Sequence, residues 1–441
     1  MLRKLISGLF AVVISVMLNG IIANAQAEHI LHTFTSNNDG ATPEAGFVAD
    51  ASGNLYSTTV FGGILKDCND DQYTVGCGTV FEMTPPLEQG QGWKETVLHE
   101  FTGFDGEAPS GPLLLDNAGN LYGVTPYAAL GVEGFVFELS PPQQQGGEWG
   151  FTNISSFTQN EGSLQGPTGA LTMDTQGNLF GVARSGGLNC GGVFELSPSH
   201  GTWTQTTLYM FGQSQNDGCY PQAGLIADST GHLYGTTSGG TQANPHGTIF
   251  RLTHSSNDGW VVQTIHTFHG GYDGASPVGN LLLSKGAVYG TTEYGGDTGC
   301  GAAGCGTVYQ ISPQGGYKVI YRFVAGTLNG IVPGSGLSSD PLGNLYGTTV
   351  AGGDLTQCPG YFGPDGCGTV YKLTPPSTQG GKWTEEMLYS FTGFNGDGAL
   401  PMANVLWSKK GVLYGTTSQG GNEDCSTFET VGCGTVFSLS K

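Results

Sequence analysis

A repeated pair of strand-like segments constrains this chain more than any other feature. The segment Leu233-Tyr234-Gly235-Thr236-Thr237 is followed by a glycine-rich loop and then by Gly247-Thr248-Ile249-Phe250, and close copies of the pair return seven times. Copies of the Gly-Thr-Val-Phe half recur at intervals of 56 to 66 residues and begin at Gly78, Gly134, Gly191, Gly247, Gly306, Gly368 and Gly434. Self-similarity at such a period predicts a repeat architecture.

Each repeat contains four short segments that are rich in β-branched and aromatic residues. In the fourth repeat these segments are 224–228, 232–237, 248–252 and 261–268. Clusters of Gly, Asp and Pro separate them, which is typical of an antiparallel meander of four strands. Outside the N-terminal segment no sustained helical period occurs.

Seven four-stranded sheets predict an all-β fold, a seven-bladed β-propeller, in which closure of the ring protects the sheet edges. A β-solenoid is the alternative, but its repeats are usually shorter. The segment 29–34 reads as a fourth strand and 435–439 as a third strand, so the N-terminal strand is expected to complete the last blade. The apolar first strand is expected to lie innermost. The loops between second and third strands and the linkers between blades then share one face, which we call the Cys face because all ten cysteines lie there.

The N-terminus has the pattern of a secretory signal peptide. A basic start, Met1-Leu2-Arg3-Lys4, precedes an apolar run over 5–23 and two small-x-small cleavage sites. An uncleaved membrane anchor is the alternative, because the run is nearly long enough to span a bilayer. We expect residues 1–27 to be removed and 28–441 to form a single secreted or periplasmic propeller domain.

Composition limits the classes of partner. The formal net charge of −21 argues against nucleic acid, whose phosphates need Lys and Arg, and against anionic membrane surfaces. Aromatic residues make up 10% of the chain and supply a core, so the abundant glycine indicates dense turns rather than disorder. A glycan or an extracellular protein is the expected partner, with no membrane contact after cleavage, and the chain is expected to be a monomer.

The ten cysteines are expected to form five disulfides, as in other exported chains with an even count. Zinc is disfavoured, because no C-x-x-C pair and no accompanying His cluster occurs. Cys190 lies in the loop of the third blade and Cys219 in the linker to the fourth, which predicts an inter-blade bond. The other eight form four pairs, each within one loop: Cys68/Cys77, Cys300/Cys305, Cys358/Cys367 and Cys425/Cys433.

Two series of acidic residues follow the repeat. The first series ends the first strand, three residues before a Gly, which is hairpin-turn chemistry; it comprises Asp50, Asp116, Asp174, Asp228 and Asp340. The second series precedes a Gly in each inter-blade linker and comprises Asp39, Asp105, Glu161, Asp217, Asp273, Asn329 and Asp397. It reads either as another turn motif or as an acidic mouth on the Cys face that binds Ca²⁺ or a cationic ligand. No other cofactor is expected.

Aromatic residues also divide into two groups. The regular tryptophans before the outer strand indicate packing: Trp93, Trp149, Trp203, Trp260 and Trp383, with Tyr317 in the equivalent place. Aromatic residues that break the repeat on Cys-face loops are better ligand candidates, since aromatic rings suit sugar rings. They are Tyr73, Tyr127, Tyr220, Tyr272, Tyr294, Tyr361 and Phe362.

The sequence carries no catalytic motif. G-x-S-x-G, H-E-x-x-H and the phosphate-binding G-x-x-x-x-G-K-[ST] are all missing. One position of the outer strand carries His or Tyr, which reads as a sheet-surface position: His32, His99, Tyr209, His266, Tyr321 and Tyr389. A carbohydrate-active hydrolase or lyase that works in the central mouth is the alternative function, because acids are plentiful.

The pattern G-N-L-Y-G-T-T … C-G-T-V-F-x-L resembles the GloVer tandem repeat of exported bacterial choice-of-anchor proteins. The clearest copy runs from Gly343 to Thr349 and from Gly366 to Leu373, and the resemblance covers the whole chain after the signal peptide. The second and third repeats depart from it, with Gly123-Val124-Thr125 and Gly181-Val182-Ala183 in place of Gly-Thr-Thr. The resemblance implies no agreed activity, so the expected function is a secreted binding or structural propeller with its ligand on the Cys face.

Overall fold

The computed structural model describes residues 27–36, 38–63, 68–70, 73–74, 76–88, 90–129, 131–144, 146–214, 217–240, 245–255, 257, 259–296, 299–326, 330–356, 358, 366–378, 380–422, 425 and 432–440, without the side chains of residues 69, 70, 73 and 74. The predicted signal sequence up to residue 26 lies outside these residues, as do Asn329, Tyr361, Phe362 and the side chain of Tyr73. Within the described ranges no helix is long and apolar enough to cross a bilayer.

Seven four-stranded antiparallel sheets form a seven-bladed β-propeller, which confirms the predicted fold. The strands of blades 1 to 4, each in the order first to fourth, are Val48–Ala49, Leu55–Thr59, Thr79–Thr84 and Lys94–Glu100; Leu114–Leu115, Leu121–Thr125, Val132–Ser140 and Gly150–Thr158; Leu164–Met173, Leu179–Gly186, Gly192–Ser199 and Thr202–Met210; Ile226–Ala227, Leu233–Thr237, Thr248–Ser255 and Gly259–Thr267. Those of blades 5 to 7 are Leu282–Ser284, Ala287–Thr292, Thr307–Ile311 and Tyr317–Arg322; Ser338–Ser339, Leu345–Thr349, Thr369–Thr374 and Thr384–Ser390; Leu406–Trp407, Leu413–Thr417, Thr435–Ser440 and Ala27–Thr33.

The N-terminal strand closes the ring, as predicted. Ala27–Thr33 pairs antiparallel with Thr435–Ser440, and the register runs from Ala27 opposite Ser440 to Thr33 opposite Thr435. Both ends of the described chain therefore lie in one sheet, and opening the ring requires that this pair of strands separate.

The first strand of blade 4 is shorter than predicted. It covers Ile226–Ala227 rather than 224–228. Gly224 is not part of the sheet. Its backbone N–H donates a 2.8 Å hydrogen bond to the Asn280 side chain of the next blade. The segments just before the first strands thus line the centre of the ring and hold neighbouring blades together.

Steric limits and hydrogen bonds explain why glycine and threonine recur at fixed positions of the repeat. A Cβ atom on Gly235 would lie only 2.8 Å from Leu225 Cδ2 and would also collide with the Phe250 ring of the third strand. The Thr237 hydroxyl lies 2.9 Å from that of Thr248 and accepts the Thr248 N–H. Gly247 has φ +92°, a left-handed conformation that favours glycine. The motif therefore fixes the pairing of the two central strands.

The apolar core consists of seven clusters, each of which lies between two neighbouring blades. The outer-strand tryptophans belong to this packing. Trp149 of blade 2, for example, contacts Tyr56 of blade 1 edge to face with ring centroids 6.1 Å apart. The regular tryptophans thus act as inter-blade packing residues, which confirms the interpretation of their spacing.

Candidate functional site

The Cys face is built from short pairings between each inter-blade linker and the residues that follow the second strand. Gly218 and Cys219 pair with Gly240 and Gly239, and the same contact recurs between Ala275 and Tyr294. Each linker is therefore anchored to the blade that it precedes, which makes this face a rigid platform.

All ten cysteines form disulfides in the predicted pairing. Four bonds brace single loops, whereas Cys190–Cys219 joins blade 3 to the linker of blade 4. The Tyr220 N–H also donates to the Cys190 carbonyl at 2.9 Å, so a second interaction supports the same junction. Five disulfides indicate an extracellular or periplasmic protein, since such bonds persist in oxidising compartments.

Most of the cysteines on the Cys face are buried, which their position in loops did not predict. The second cysteine of each single-loop pair, directly before the glycine that leads into the third strand, is 0% exposed: Cys77, Cys305, Cys367 and Cys433. The linker entering the next blade covers it, because the Cys77 carbonyl accepts the Ala108 N–H and the Cys367 carbonyl accepts the Leu400 N–H, each at 2.9 Å. These four residues belong to the inter-blade core and are not available to a ligand.

The acids of the first series accept hydrogen bonds from their own hairpin turns. Asp116 Oδ1, for example, accepts the N–H groups of Ala118 and Asn120, each at 2.8 Å. These carboxylates therefore have the structural role predicted for them.

The linker acids lie where the outer strands end and are not close to the ring axis. Asp105 accepts the Thr102 N–H at 2.8 Å, and Asp217 accepts the Gln213 N–H at 2.9 Å. Asp39, Asp273 and Asp397 accept the same kind of bond from Thr35, His269 and Thr392. The structure gives each of the five carboxylates a partner in its own linker and does not gather them into one site.

The second partner of these acids is the His or Tyr of the outer strand. His99 Nε2 lies 2.9 Å from Asp105 Oδ2, and the Tyr209 hydroxyl donates to Asp217 at 2.9 Å. Burial would raise the pKa of Asp105, but the hydrogen bonds from His99 and Thr102 outweigh it and lower that pKa. The contact between the linker acids and the outer-strand His or Tyr was not predicted from the sequence, although both positions follow the repeat.

At one junction the linker acid meets a second acid. Glu28, on the closing strand, faces Asp397, and both approach the Tyr389 hydroxyl, which donates to Glu28 at 2.8 Å. Burial, followed by the charge of Asp397, raises the pKa of Glu28 to about 8. Burial also raises the pKa of Asp397, although its bonds to Thr392 oppose the shift. This pair lies between outer strands and not in the central mouth.

Four of the seven aromatic residues predicted as ligand contacts are exposed on the Cys face. Their exposed fractions are 53% for Tyr127, 44% for Tyr220, 66% for Tyr272 and 40% for Tyr294, so all four can contact a ligand. The Tyr272 carbonyl accepts a hydrogen bond from Arg322 at 3.1 Å, and the Arg322 guanidinium lies 5.8 Å from the centre of the Tyr272 ring. Arg322, on the outer strand of the same blade, thus holds the linker and its aromatic side chain in place.

A shallow cavity of about 470 Å³ lies beside Tyr294, between blades 5 and 6. The side chains of its described lining are apolar apart from the Tyr294 hydroxyl, and include Cys300, Ile331 and Leu355. Eight of the fourteen exposed large apolar side chains of the described residues lie on this face: Phe104, Tyr127, Leu188, Tyr220, Tyr272, Tyr294, Val324 and Leu355. The cavity contains Tyr294, one of the predicted ligand contacts.

The centre of the ring is narrow. An opening of about 130 Å³ is lined by residues of all seven blades, among which glycine is the most frequent, and Glu44 is the one acid among its described lining residues. Glu44 retains solvent contact but is crowded by protein, and this desolvation raises its pKa. A retaining glycosidase needs two carboxyl groups about 5 Å apart, so this lining does not supply that arrangement. No cluster of three or more His, Cys, Asp or Glu suited to a metal ion occurs within the described ranges.

Three solved structures resemble this chain at low sequence identity. The extracellular domain of a one-component system from B. thetaiotaomicron superposes with a TM-score of 0.51 at 12% identity; the match covers 95% of this chain but 42% of that protein. An oxidoreductase (glucose dehydrogenase) from Thermus thermophilus gives a TM-score of 0.42 at 14% identity over 94% of this chain and 100% of its own. A luciferin-regenerating enzyme gives 0.43 at 13% identity over 77% and 92%. At these identities the likeness concerns the fold alone.

No curated protein matches the chain. The sequence profile of the Gloeobacter/Verrucomicrobia repeat matches residues 20–244 and 189–437, which together span nearly the whole chain and confirm the resemblance drawn from its motifs. The chain belongs to the Gloeobacter/Verrucomicrobia repeat family.

Proposed function

We propose that this chain is a secreted or periplasmic binding protein that holds a protein partner on its Cys face. The observation that carries the proposal is the apolar cavity at Tyr294, set in a disulfide-braced surface on which exposed aromatic and aliphatic side chains are concentrated. Soluble proteins seldom group exposed apolar side chains without a binding role. The ring of short, anchored linkers keeps the cost of ordering this surface low.

The chemistry of the cavity favours a protein side chain over a sugar. A glycan site needs several hydrogen-bonding side chains around its aromatic residues, whereas Tyr294 is the main polar group among the described lining residues. An aliphatic or aromatic anchor from a partner protein would bury against Ile331 and Leu355 without leaving polar groups unpaired. A glycan ligand is the second candidate, and Tyr272 beside Arg322 is the feature that favours it.

Site-specific photocrosslinking tests the proposal. A photoreactive phenylalanine analogue replaces Tyr294 in the oxidised chain, and the same analogue replaces Val261, which is 46% exposed on an outer strand, as the control. The expected result is one discrete product with extracytoplasmic proteins of the source organism from position 294 and none from position 261. Excess unlabelled protein should suppress the product, whereas excess Leu355→Asp protein should not.

A glycan array probed with the same chain distinguishes the second candidate. Binding that is lost in Tyr272→Ala and retained in Leu355→Asp would replace the protein partner by a glycan. The absence of both a crosslinked product and array binding would overturn the assignment of a ligand to the Cys face.

A further inference from the structure

A second groove lies on the opposite face, which we call the turn face because it carries the hairpin turns between first and second strands. The groove has a volume of about 850 Å³ and separates the first hairpin of blade 7 from that of blade 1. Its size falls within the range of about 300–1,000 Å³ that small-molecule clefts occupy. Its lining includes three large aromatic side chains, Trp93, Trp407 and Tyr414, and two lysines, Lys409 and Lys410.

Trp407 departs from the repeat. Trp407 pairs with Leu413 of the second strand, and the first-strand residue that pairs with the equivalent Leu or Val is aliphatic or small in the six other blades: Ala49, Leu115, Met173, Ala227, Leu283 and Ser339. Inter-blade packing therefore does not require an aromatic residue at this place. The one blade that has it also borders this groove.

The aromatic lining is held in place by the core. Trp93 and Tyr414 meet edge to face with ring centroids 5.4 Å apart, and both pack against the cluster between blades 7 and 1. Trp407 packs on the cluster between blades 6 and 7 and is only half-buried, so part of its ring faces the groove. A ligand would thus meet preformed aromatic surfaces.

The groove is also positively charged in an acidic protein. Lys409-Lys410 is the one pair of adjacent basic residues beyond the N-terminal segment, in a chain whose formal net charge is −21. Both lysines are exposed, and neither has an ion pair among the described residues. The one acid in the lining, Asp50, is already engaged by the N–H groups of Ser52 and Asn54, each at 2.9 Å.

We propose that this groove binds a carboxylate-bearing oligosaccharide, such as a segment of a polyuronide. The apolar faces of pyranose rings suit Trp407 and Trp93, and the carboxylates of successive sugars suit two adjacent ammonium groups. Lys409 and Lys410 thus supply charge complementarity to an anionic, ring-containing polymer. The site lies on the other face from the proposed protein-binding surface and is independent of it, so one chain can bridge a partner protein and an acidic glycan.

Isothermal titration of the oxidised chain with tetragalacturonate, and with cellotetraose as the neutral comparison, tests the proposal. Tetragalacturonate should bind and cellotetraose should bind at least tenfold more weakly. Trp407→Ala and the double variant Lys409→Gln/Lys410→Gln should each weaken binding at least tenfold, and 0.5 M salt should weaken binding to the wild type, because screening acts on exposed charges. Lys285→Gln, in the corresponding hairpin of blade 5 and outside this groove, is the matched control and should bind like the wild type.

If Trp407→Ala does not fold, Lys409→Gln/Lys410→Gln still tests the proposal. Both lysines are exposed, so their replacement leaves the packing intact. Absence of tetragalacturonate binding, or binding that Lys409→Gln/Lys410→Gln leaves unchanged, would overturn the proposal. Tighter binding of a thymidine oligonucleotide than of tetragalacturonate would assign the groove to nucleic acid instead. The crosslink from position 294 reports the other face and is expected to survive each of these variants.

Discussion

The Tyr389 hydroxyl donates a 2.8 Å hydrogen bond to Glu28 across the junction between blades 6 and 7, where the N-terminal strand closes the ring. Asp397 approaches the same carboxyl group from the linker. Two half-buried acids thus approach one tyrosine at the strand on which ring closure depends, and the charge of Asp397 disfavours ionisation of Glu28.

Glu28→Gln is expected to make stability less dependent on pH. The pKa of Glu28 is raised from 4.5 to about 8 in the folded protein, mainly by burial and then by Asp397, so folding takes up a proton between those values. The stabilising contribution is complete below pH 4.5 and is lost as pH rises through 8. Each unit of pKa shift corresponds to about 1.4 kcal/mol. Because Glu28 keeps some solvent contact, we expect only part of that energy, so the free energy of unfolding of Glu28→Gln should exceed that of the wild type by about 2 kcal/mol at pH 9.

Urea unfolding of both proteins at pH 5 and pH 9 measures this effect. Glu148→Gln, at an exposed position before Trp149, is the control and should keep the pH profile of the wild type. Parallel profiles for Glu28→Gln and the wild type would show that the closing strand carries no such proton.

Tyr371→Phe is expected to stabilise the protein. Tyr371 is 1% exposed, and its hydroxyl has no hydrogen-bond partner among the described residues. Five other blades carry Phe at this place in the third strand: Phe81, Phe137, Phe194, Phe250 and Phe437. Because an unsatisfied buried hydroxyl costs about 1–3 kcal/mol, its removal should raise the free energy of unfolding by about 1 kcal/mol.

Tyr346→Phe is the control when the free energy of unfolding of Tyr371→Phe is measured, because the Tyr346 hydroxyl has a hydrogen-bond partner. The Tyr346 hydroxyl donates to Asp340 at 3.1 Å, so its removal should destabilise the same blade. Loss of stability in Tyr371→Phe would contradict the expectation and would reveal a partner for its hydroxyl.

The sequence predicted the ring and its closure because the repeat spacing determines which segments become equivalent strands. The bond between Cys190 and Cys219 followed from the same equivalence, since it requires only the blade and the face of each residue. The burial of Cys77 did not follow from it, because the covering linker belongs to the next blade. The apposition of Glu28 and Asp397 likewise depends on how the closing strand lies against the linker between blades 6 and 7.

Thr348→Val is expected to weaken the junction between blades 6 and 7. The buried Thr348 hydroxyl donates to the Ala403 carbonyl at 2.9 Å and lies 2.8 Å from the Ser335 hydroxyl. Thr291 makes the equivalent bond to the Ser335 carbonyl at 2.7 Å, which explains the first Thr of the Gly-Thr-Thr motif. Val keeps the shape and the branching at Cβ, so the expected loss of about 1 kcal/mol measures the hydrogen bond.

Chemical denaturation compares Thr348→Val with Thr374→Val, an exposed strand-end control that should change stability by less than about 0.5 kcal/mol. Equal effects of the two substitutions would mean that the inter-blade bond contributes nothing measurable.

Removal of the Cys190–Cys219 bond is expected to lower the free energy of unfolding more than removal of a disulfide within one loop. The two cysteines are 29 residues apart, whereas Cys300 and Cys305 are 5 apart. In the chain-entropy treatment, loss of the longer link stabilises the unfolded state by about 3.6 kcal/mol, and loss of the shorter link stabilises it by about 2 kcal/mol. Equilibrium unfolding of Cys190→Ser/Cys219→Ser and Cys300→Ser/Cys305→Ser should therefore show the second variant to be more stable by about 1–2 kcal/mol. An equal or smaller loss in the first variant would mean that the packing between blades 3 and 4 already restricts the linker, and that the covalent bond there adds little to the stability of the ring.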